Sequence, residues 1–210
     1  MTSSESQAAH ADVESKIIAS LERLSQVLRQ LLRAETQAHR LSPIQMQFLI
    51  HLASHPPELC RVTHLAREFH ITQPTVSDAV NTLINKGLVE KEPWPHDRRV
   101  SILRLTPAGR AVAEELADWA DSLKPFLAEA LSAEERVSLM VGLMKWIAAL
   151  ERGGIISSVR MCLTCRFFAV QPEPANRTPY YCHLLEQPLS ADVLRLDCPE
   201  HERTPRKRKA

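Results

Sequence analysis

The segment from Val62 to Thr106 constrains the fold of this chain more than any other, because it predicts two short helices followed by two strands in a fixed order. "VTHLAREF" predicts a short helix, and "TQPTVSDAVNTLINKG" predicts a second one, with Thr72 as its N-cap and Gly87 at its end. "LVEKEPW" and "VSILRLT" read as two strands, which the charged tip "PHDRR" joins. This order of helix, turn, helix and two-stranded wing predicts a winged helix-turn-helix.

The second of these helices carries the predicted DNA contacts, because a helix-turn-helix places the start of that helix against base edges in the major groove. Small polar or acidic side chains cluster there, namely Thr72, Gln73, Thr75, Ser77, Asp78 and Asn81. Asp78 would repel phosphate unless it reads a cytosine amino group or pairs with a neighbouring base. A solvated polar face that contacts nothing is the alternative interpretation of these residues. The inward positions are predicted to be Val76, Val80, Leu83 and Ile84.

The wing favours the DNA-binding interpretation. Its tip carries Arg98 and Arg99, and arginines on a hairpin suit the narrow minor groove. From Arg61 to Arg110 there are eight Lys and Arg against five Asp and Glu, whereas the whole chain has a formal net charge of only +1. The basic residues are therefore concentrated where a nucleic acid would lie.

Long helices are predicted on both sides of this middle segment. The first has one apolar face, formed by Ile17, Leu21, Leu24, Leu28 and Leu31. Ser42 with Gln45 predicts a capping box for the next helix, with Pro43 at its first position. A further single helix is predicted from Thr106-Pro107 through the evenly spaced Val112, Leu116, Trp119, Leu123 and Phe126.

The last long helix, capped by Ser132 and Glu135, runs to Gly153 and has two apolar stripes. One stripe comprises Val137, Met140, Met144 and Ile147, and the other comprises Leu139, Leu143, Trp146 and Leu150. Two stripes predict burial on both sides, either in a larger bundle or in a subunit interface. We favour the interface, and hence a homodimer.

The motif "HDRRVSILRLTPAGRAV", preceded by "QPTVSDAVNTLINKGLVEKEP", resembles the MarR (multiple antibiotic resistance regulator) family over roughly residues 13–152. The residues that match the family's wing signature are Asp97, Arg99, Leu103, Leu105, Thr106 and Gly109. The resemblance implies a homodimeric transcription factor, joined by its first and last helices, that binds a pseudo-palindromic operator in double-stranded DNA and usually represses. It also implies that Asp97 braces a wing arginine and that Arg98 or Arg99 enters the minor groove.

Family members often release DNA when a small, frequently aromatic molecule binds, so the resemblance implies a small-molecule effector. His51, His55 and His64 lie near that region of the sequence, although core or surface histidines need no such role. Cys60 is either a redox-sensing thiol, as in some relatives, or a half-buried structural cysteine, which we favour.

Residues beyond Gly154 lie outside the family pattern and contain four of the five cysteines. Prolines at 172, 174, 179, 188 and 199 argue against long helices there, and so short a segment usually needs a staple to fold. Cys162, Cys165, Cys182 and Cys198 are the predicted metal ligands, with His183 and His201 as alternates. Unconnected thiols and an oxidised disulfide are the other interpretations.

The metal is predicted to be Zn²⁺, the commoner ion of small structural modules, with an iron–sulfur cluster as the alternative. Zinc would mainly stabilise the module, whereas a cluster would make the protein sensitive to redox state, oxygen or iron. Four thiolates fill a tetrahedral zinc and leave no open position for a substrate or water, so we expect no enzyme. A protein-interaction adaptor is the remaining functional class.

These patterns predict a mainly α fold with a small β-wing: a winged helix-turn-helix core flanked by long dimerisation helices, plus a small metal-stapled C-terminal module. The predicted parts are a disordered segment 1–12, the DNA-binding and dimerisation domain 13–153, the cysteine-rich module 155–201 and a basic disordered tail 202–210. The polar N-terminus resembles no secretory signal, and no apolar run approaches the ~18 residues that span a membrane. We therefore expect a cytoplasmic protein with reduced thiols and no membrane contact.

Overall fold

The structure is a computed structural model that describes residues 12–94, 97–156, 159–171 and 179–204. It is mainly helical with a two-stranded wing, as the sequence predicts, and it also has a three-stranded sheet that the sequence analysis did not predict. No helix within these ranges is long and apolar enough to cross a membrane. The predicted disordered N-terminus, apart from Asp12, lies outside the described residues.

The chain divides into two compact units. The first unit takes in the chain up to Ser54, Ala79–Glu90 and Leu105–Ser122. The second takes in His55–Asp78, Lys91–Arg104 and the chain from Leu123 onward. The second unit thus contains the start of the predicted recognition helix, most of the wing and all four C-terminal cysteines.

Helices α1 (Val13–Ala38), α2 (Pro43–Ser54) and α5 (Pro107–Ala117) belong to the first unit. The predicted capping box at the start of α2 is formed, because Ser42 N–H donates to Gln45 Oε1 at 2.9 Å and Gln45 N–H donates to Ser42 Oγ at 3.4 Å. α2 packs against α1 and α5, and its side chains Met46, Phe48 and Leu49 are fully buried. The burial of an apolar face fixes α2 in this unit.

The helix-turn-helix consists of α3 (Val62–Glu68) and α4 (Gln73–Asn85). His70 in the turn between them has a φ of 53°, a left-handed conformation that few residues other than glycine adopt. Gly87, the predicted terminator of α4, follows the last helical residue by two positions; its φ of 69° suits glycine and lets Leu88 N–H donate to the Leu83 carbonyl.

Strands β1 (Val89–Trp94) and β2 (Asp97–Leu105) pair as the two-stranded wing. β2 begins at Asp97, three residues before the predicted strand, so Asp97–Arg99 belong to the strand and not to the connecting tip. Pro95 and His96 of the predicted tip lie outside the described residues.

The single helix predicted from Pro107 to Phe126 is wrong, because the chain forms α5, a short 3₁₀ turn at Asp121–Leu123 and then α6 (Lys124–Ala130). Pro125 lies in the first turn of α6, where its missing amide hydrogen is tolerated, so it is consistent with a new helix that starts there. The last helix, α7 (Ala133–Arg152), follows a complete capping box between Ser132 and Glu135, as predicted.

The C-terminal module contains no long helix in its described part and forms an antiparallel sheet in the order β3-β4-β5. These strands are β3 (Phe168–Val170), β4 (Tyr180–Cys182) and β5 (Gln187–Leu189). Met161, Leu189 and Leu194 of the module form a buried cluster with Met144 and Ala148 of α7. One apolar stripe of α7 is therefore covered by the module of the same chain, whereas the sequence assigned the second face to a partner subunit.

The module extends past its predicted end at His201. Arg166 N–H donates to the Glu202 carbonyl at 2.8 Å, and Thr204 N–H donates to the Thr164 carbonyl at 3.1 Å. Arg203 forms an ion pair with Glu151, a buried residue of α7. Residues 202–204 thus belong to the module, and the remaining predicted tail, residues 205–210, lies outside the described residues.

Candidate nucleic-acid interface and cysteine cluster

The start of α4 presents the predicted base-reading side chains to solvent. Thr72, Gln73, Thr75, Asp78 and Asn81 are exposed and Ser77 is half-buried. The predicted inward residues Val76, Val80 and Leu83 are completely buried, and Ile84 is half-buried. The helix therefore has one face committed to the core and one polar face available for a ligand.

Thr72 has a second role as the N-cap of α4. Thr75 N–H donates to Thr72 Oγ1 at 3.3 Å, and the two threonine hydroxyls are hydrogen-bonded at 2.8 Å. The hydroxyl of Thr72 thus stabilises the first turn of the helix and holds Thr75 in place. A helix start of this kind also aims backbone N–H groups and a positive dipole end at an approaching phosphate.

The wing arginines Arg98 and Arg99 lie with Asp97 at the start of β2, where the structure describes their main chain but not their side chains. Further along the hairpin, Arg104 Nε donates to Glu92 Oε2 and joins the two strands. The β2 strand is also tied to the segment before α3, since Leu103 N–H donates to the Cys60 carbonyl at 2.8 Å. The hairpin is therefore fixed at its base, next to the helix-turn-helix in the chain.

The helix α1 exposes much of its apolar face. Val13, Ile17, Ile18, Leu24, Val27 and Leu28 are all exposed large hydrophobic side chains. On α7, Leu139 is also exposed, whereas Leu143, Trp146 and Leu150 of the same stripe are half-buried. An apolar stripe of this length on a helix is typical of a surface that another apolar surface covers.

The four C-terminal cysteines come together although they are spread over 37 positions of the sequence. Cys162, Cys165, Cys182 and Cys198 line one small cavity of about 30 Å³. The other lining residues are mostly apolar and include Phe167, Phe168, Leu184, Leu185 and Leu189. The fold thus brings together the four predicted ligands from a 3₁₀ turn, a strand and the C-terminal segment.

Backbone hydrogen bonds hold two of these cysteines in place. Cys165 N–H donates to the Cys162 carbonyl at 3.0 Å, and Arg195 N–H donates to Cys162 Sγ at 3.3 Å. Burial raises the pKa of the Cys162 thiol, and the neighbouring Cys198, Cys165 and Cys182 raise it further, while the Arg195 hydrogen bond opposes them. The Cys162 thiol is therefore disfavoured as a thiolate by its burial and by the other three cysteines.

The alternate ligands His183 and His201 do not line the cavity. His201 Nε2 lies 3.0 Å from the Thr164 hydroxyl, and burial lowers the pKa of His201. The ring of His183 contacts the ring of Tyr181 edge-on at 5.1 Å between centroids. Among the described residues, no group of three or more His, Cys, Asp or Glu side chains already has the arrangement of a metal site.

A polar cluster that sequence reasoning missed joins the module to the helix-turn-helix segment within the second unit. The Asp197 carboxylate lies 2.7 Å from His55 Nε2 through Oδ2 and accepts from Arg160 Nε at 2.8 Å through Oδ1. His55 follows α2 directly, and Asp197 directly precedes Cys198. His55 and Asp197 lie 142 positions apart, and a single sequence contains no pattern that pairs residues so distant. Only the folded structure reveals this contact.

Cys60 is a buried structural cysteine, as favoured from the sequence, with a side chain that is 3% exposed. Its thiol donates to the carbonyls of Pro56 at 3.4 Å and His55 at 3.6 Å. Burial, followed by the charge of Glu58, raises its pKa to about 11. A protonated, enclosed thiol is poorly suited to redox sensing. The small-molecule effector stays a prediction, and of the histidines near it His51 is buried and His64 lies 3.8 Å from Glu68 Oε2.

Comparison with known proteins agrees with this geometry. The model of the MarR family matches residues 40–100. The HTH-type transcriptional repressor NicR of Pseudomonas putida is 30% identical over 115 residues, which are 55% of this chain and 72% of NicR.

Solved structures show the same fold. A MarR family transcriptional regulator from Silicibacter pomeroyi is 27% identical with a TM-score of 0.57, over 68% of this chain and 94% of that protein. MepR of S. aureus, in a crystal structure of its complex with DNA, is 23% identical with a TM-score of 0.55, over 63% of this chain and 96% of MepR. About a third of the chain is unmatched in each of these two structures.

Proposed function

The chain belongs to the MarR family, and on that premise we propose that it represses transcription as a homodimer on a pseudo-palindromic operator. It is a DNA-binding transcriptional regulator of MarR type and, as the sequence predicted, not an enzyme. Repression is supported by the similarity to NicR, whose name describes a transcriptional repressor. The small-molecule effector belongs to the same proposal.

One observation carries the proposed mode of DNA binding: α4 buries one face completely and presents a polar one at its capped N-terminus. In that arrangement Gln73 and Asn81 are side chains suited to bidentate contacts with adenine in the major groove. Arg98 and Arg99 at the start of β2 would reach the minor groove, where their positive charge is favoured by its narrow width. Base contacts would supply specificity, and the wing and backbone contacts would supply affinity.

The wing is tested by replacing Arg98 and Arg99 with alanine. We expect operator affinity to fall at least about tenfold and the slope of log K against log salt to become less steep by about 1 for each lost phosphate contact. Fluorescence anisotropy over a series of salt concentrations measures both. The matched control is Lys145→Ala on the exposed side of α7, which should leave both unchanged. Unchanged affinity and slope in the double variant would refute the proposal.

The recognition helix has a different expected signature. Gln73→Ala should weaken binding to the preferred duplex by about 1–3 kcal/mol while leaving non-specific binding almost unchanged. A loss that is uniform over all sequences would show that Gln73 contacts phosphate and does not read a base. Competition with altered duplexes measures the difference.

The homodimer follows from symmetry and from the surface of α1. Two helix-turn-helix units bind two half-sites about one DNA turn apart, so a pseudo-palindromic operator needs a two-fold protein. The exposed stripe that includes Ile17, Leu24 and Leu28 would pack against the second copy. Ile17→Lys with Leu24→Lys should give a monomer by light scattering and weaken operator binding, whereas Gln26→Lys on the opposite side of α1 should stay dimeric. A double variant that remains dimeric would exclude this interface.

The four cysteines are the last part of the proposal: as thiolates they bind one Zn²⁺ ion, which staples the module or reports a signal. Two observations support this ligand set. The four sulfur-bearing side chains share one cavity, and its volume of about 30 Å³ suits a single ion better than an iron–sulfur cluster, the alternative cofactor. Bound zinc would hold together a module whose own apolar core is small.

Metal analysis and absorption spectra of anaerobically purified protein test this part. About one zinc per chain in a colourless sample is the expected result, whereas a brown sample with bands near roughly 400 nm would replace zinc with a cluster. Cys162→Ser with Cys182→Ser should lose the metal, and Cys60→Ser, outside the cavity, should keep it. Metal-free wild-type protein with four reactive thiols would refute the site.

A further inference from the structure

Asp197 occupies a position between the cysteine cavity and the DNA-binding helices. Its carboxylate contacts His55, at the end of α2, and Arg160, two residues before Cys162. The His55 and Arg160 side chains are 10% and 16% exposed, whereas the Asp197 side chain is 50% exposed, so the contacts are shielded from water on one side only. Hydrogen bonds that involve charged groups are stronger than those between neutral groups.

The main chain around Asp197 is tied directly to two of the cysteines. Cys198 N–H donates to the Arg160 carbonyl at 2.8 Å, and Cys162 N–H donates to the Arg195 carbonyl at 3.0 Å. Residues 160–162 and 195–198 are thus paired across the edge of the cavity. Any change in the separation of Cys162 and Cys198 moves both sides of this pairing, and Asp197 with them.

On the other side, the link reaches α3, the first helix of the helix-turn-helix. His64 and Glu68 of α3 lie within electrostatic reach of it, and burial is the largest cause of the raised pKa of Glu68 and of the lowered pKa of His64. Arg160 acts electrostatically on both residues, and Asp197 acts on Glu68. α3 and the first residues of α4 lie in the same compact unit as Asp197. The charges of Arg160 and Asp197 therefore act on residues of α3, the first helix of the helix-turn-helix.

We propose that the occupancy of the four-cysteine site regulates operator binding through the contacts of Asp197 with His55 and Arg160. This inference rests on the proposed function, and it adds how the four-cysteine site and the DNA-binding helices are connected. When the thiolates are held together, residues 195–198 are fixed and Asp197 keeps His55 and the segment before α3 in position. When they are not, the carboxylate loses its fixed place, and the helix-turn-helix loses one of its anchors.

The test uses the full chain and a duplex that the zinc-loaded wild-type protein selects from a randomised library. Operator affinity is measured by anisotropy before and after zinc is removed with a chelator, and zinc content is measured in parallel. We expect zinc removal to weaken binding by the wild-type protein about tenfold, the factor that corresponds to one lost hydrogen bond between charged groups.

Asp197→Asn is the decisive variant, because it keeps all four cysteines and removes only the negative charge of the carboxylate that contacts His55 and Arg160. It should retain its zinc, bind the duplex about tenfold more weakly than wild type when loaded, and respond little to the chelator. His55→Ala removes the same contact from the other side, with no substitution in the module, and should behave alike. Asp192→Asn, an exposed carboxylate of the same module, is the matched control and should behave as wild type. Circular dichroism verifies that each variant is folded.

Two results would overturn the inference while leaving the proposed function intact. The first is wild-type protein that binds the duplex equally well with and without zinc. The second is a pair of zinc-loaded, folded Asp197→Asn and His55→Ala variants that respond to the chelator as wild type does. If the library yields no duplex or the purified protein holds no metal, the proposed function itself fails, and the inference fails with it.

Discussion

Gly109, in the first turn of α5, is a position where a single methyl group should destabilise the protein. A Cβ atom added there would lie 1.8 Å from the Leu88 carbonyl oxygen and 2.8 Å from the Leu88 carbonyl carbon. Both are backbone atoms, so no side-chain rotation can relieve the overlap. The same Leu88 oxygen accepts from Thr106 N–H at 3.1 Å, so moving it also disturbs the residue that caps α5.

The size of the effect follows from opposing contributions. Overpacking against a rigid neighbour costs about 1–3 kcal/mol, and loss of the hydrogen bond between Thr106 and Leu88 costs about 1 kcal/mol more. Alanine is better than glycine inside a helix by about 1 kcal/mol, which offsets part of this. We therefore expect Gly109→Ala to lower the free energy of unfolding by about 1–3 kcal/mol and the Tm by roughly 3–10 °C.

Gly142 of α7 provides the matched control, because a Cβ added there meets no atom within 4 Å. Gly142→Ala should stabilise the protein by up to about 1 kcal/mol through helix propensity alone. Urea unfolding followed by circular dichroism at one protein concentration compares both variants with wild type. If Gly109→Ala is as stable as wild type, the close approach of α5 to the Leu88 backbone does not exist as described.

Further predictions concern a cap, a thiol and the module. Ser132→Ala should cost about 1 kcal/mol in urea unfolding near neutral pH, because Ser132 and Glu135 cap α7 reciprocally. Hydrogen bonds from Ser132 lower the pKa of Glu135 below 4.5, so the carboxylate's contribution is present above that pH and is lost as pH falls through the lowered value. The difference between Ser132→Ala and wild type should therefore shrink in acid, and a constant difference would contradict the capping box. Cys60, with its pKa raised to about 11, should resist iodoacetamide at about pH 8 in the folded protein and react on unfolding. Because the unfolded thiol ionises near its ordinary value of 9.0 and the folded one does not, stability should fall as pH rises above that value, and Cys60→Ala should reduce this fall. Met144→Ala should cost about 2–5 kcal/mol because Met144 is fully buried against the module, whereas Leu139→Ala, at an exposed position of the same helix, should cost far less.

The elements that the sequence predicted correctly are those whose signals are local. Both capping boxes, at Ser42 and Ser132, are formed, and Gly87 ends α4 with a positive φ. The inward residues of α4 follow directly from helical spacing, because the side chains of i and i+4 share a face. The buried and exposed faces of α4 could therefore be assigned from the sequence alone, whereas its contacts with DNA stay a prediction.

The wrong prediction of one long helix comes from an apolar pattern that fits both a continuous helix and two helices separated by a break. The apolar spacing from Val112 to Phe126 continues across the break between α5 and α6, so periodicity alone predicts one helix there. Pro125 gave the only local warning. The gathering of four cysteines was predictable from residue type, but the contact of Asp197 with His55 depends on how distant segments pack and leaves no local signal.

Helix α7 shows why an apolar stripe predicts burial without naming what covers it. Met144 and Ala148 lie in the buried cluster of the C-terminal module, while Leu139 on the other stripe is exposed. Removing residues 155–210 would therefore uncover a second apolar stripe, and an exposed stripe of this kind promotes association. A truncated protein would confuse loss of the cysteine site with new aggregation through α7. Replacing Cys162 and Cys182 by serine keeps Met161, Leu189 and Leu194 in the chain, so it tests the role of the thiols without deleting the residues that cover that stripe.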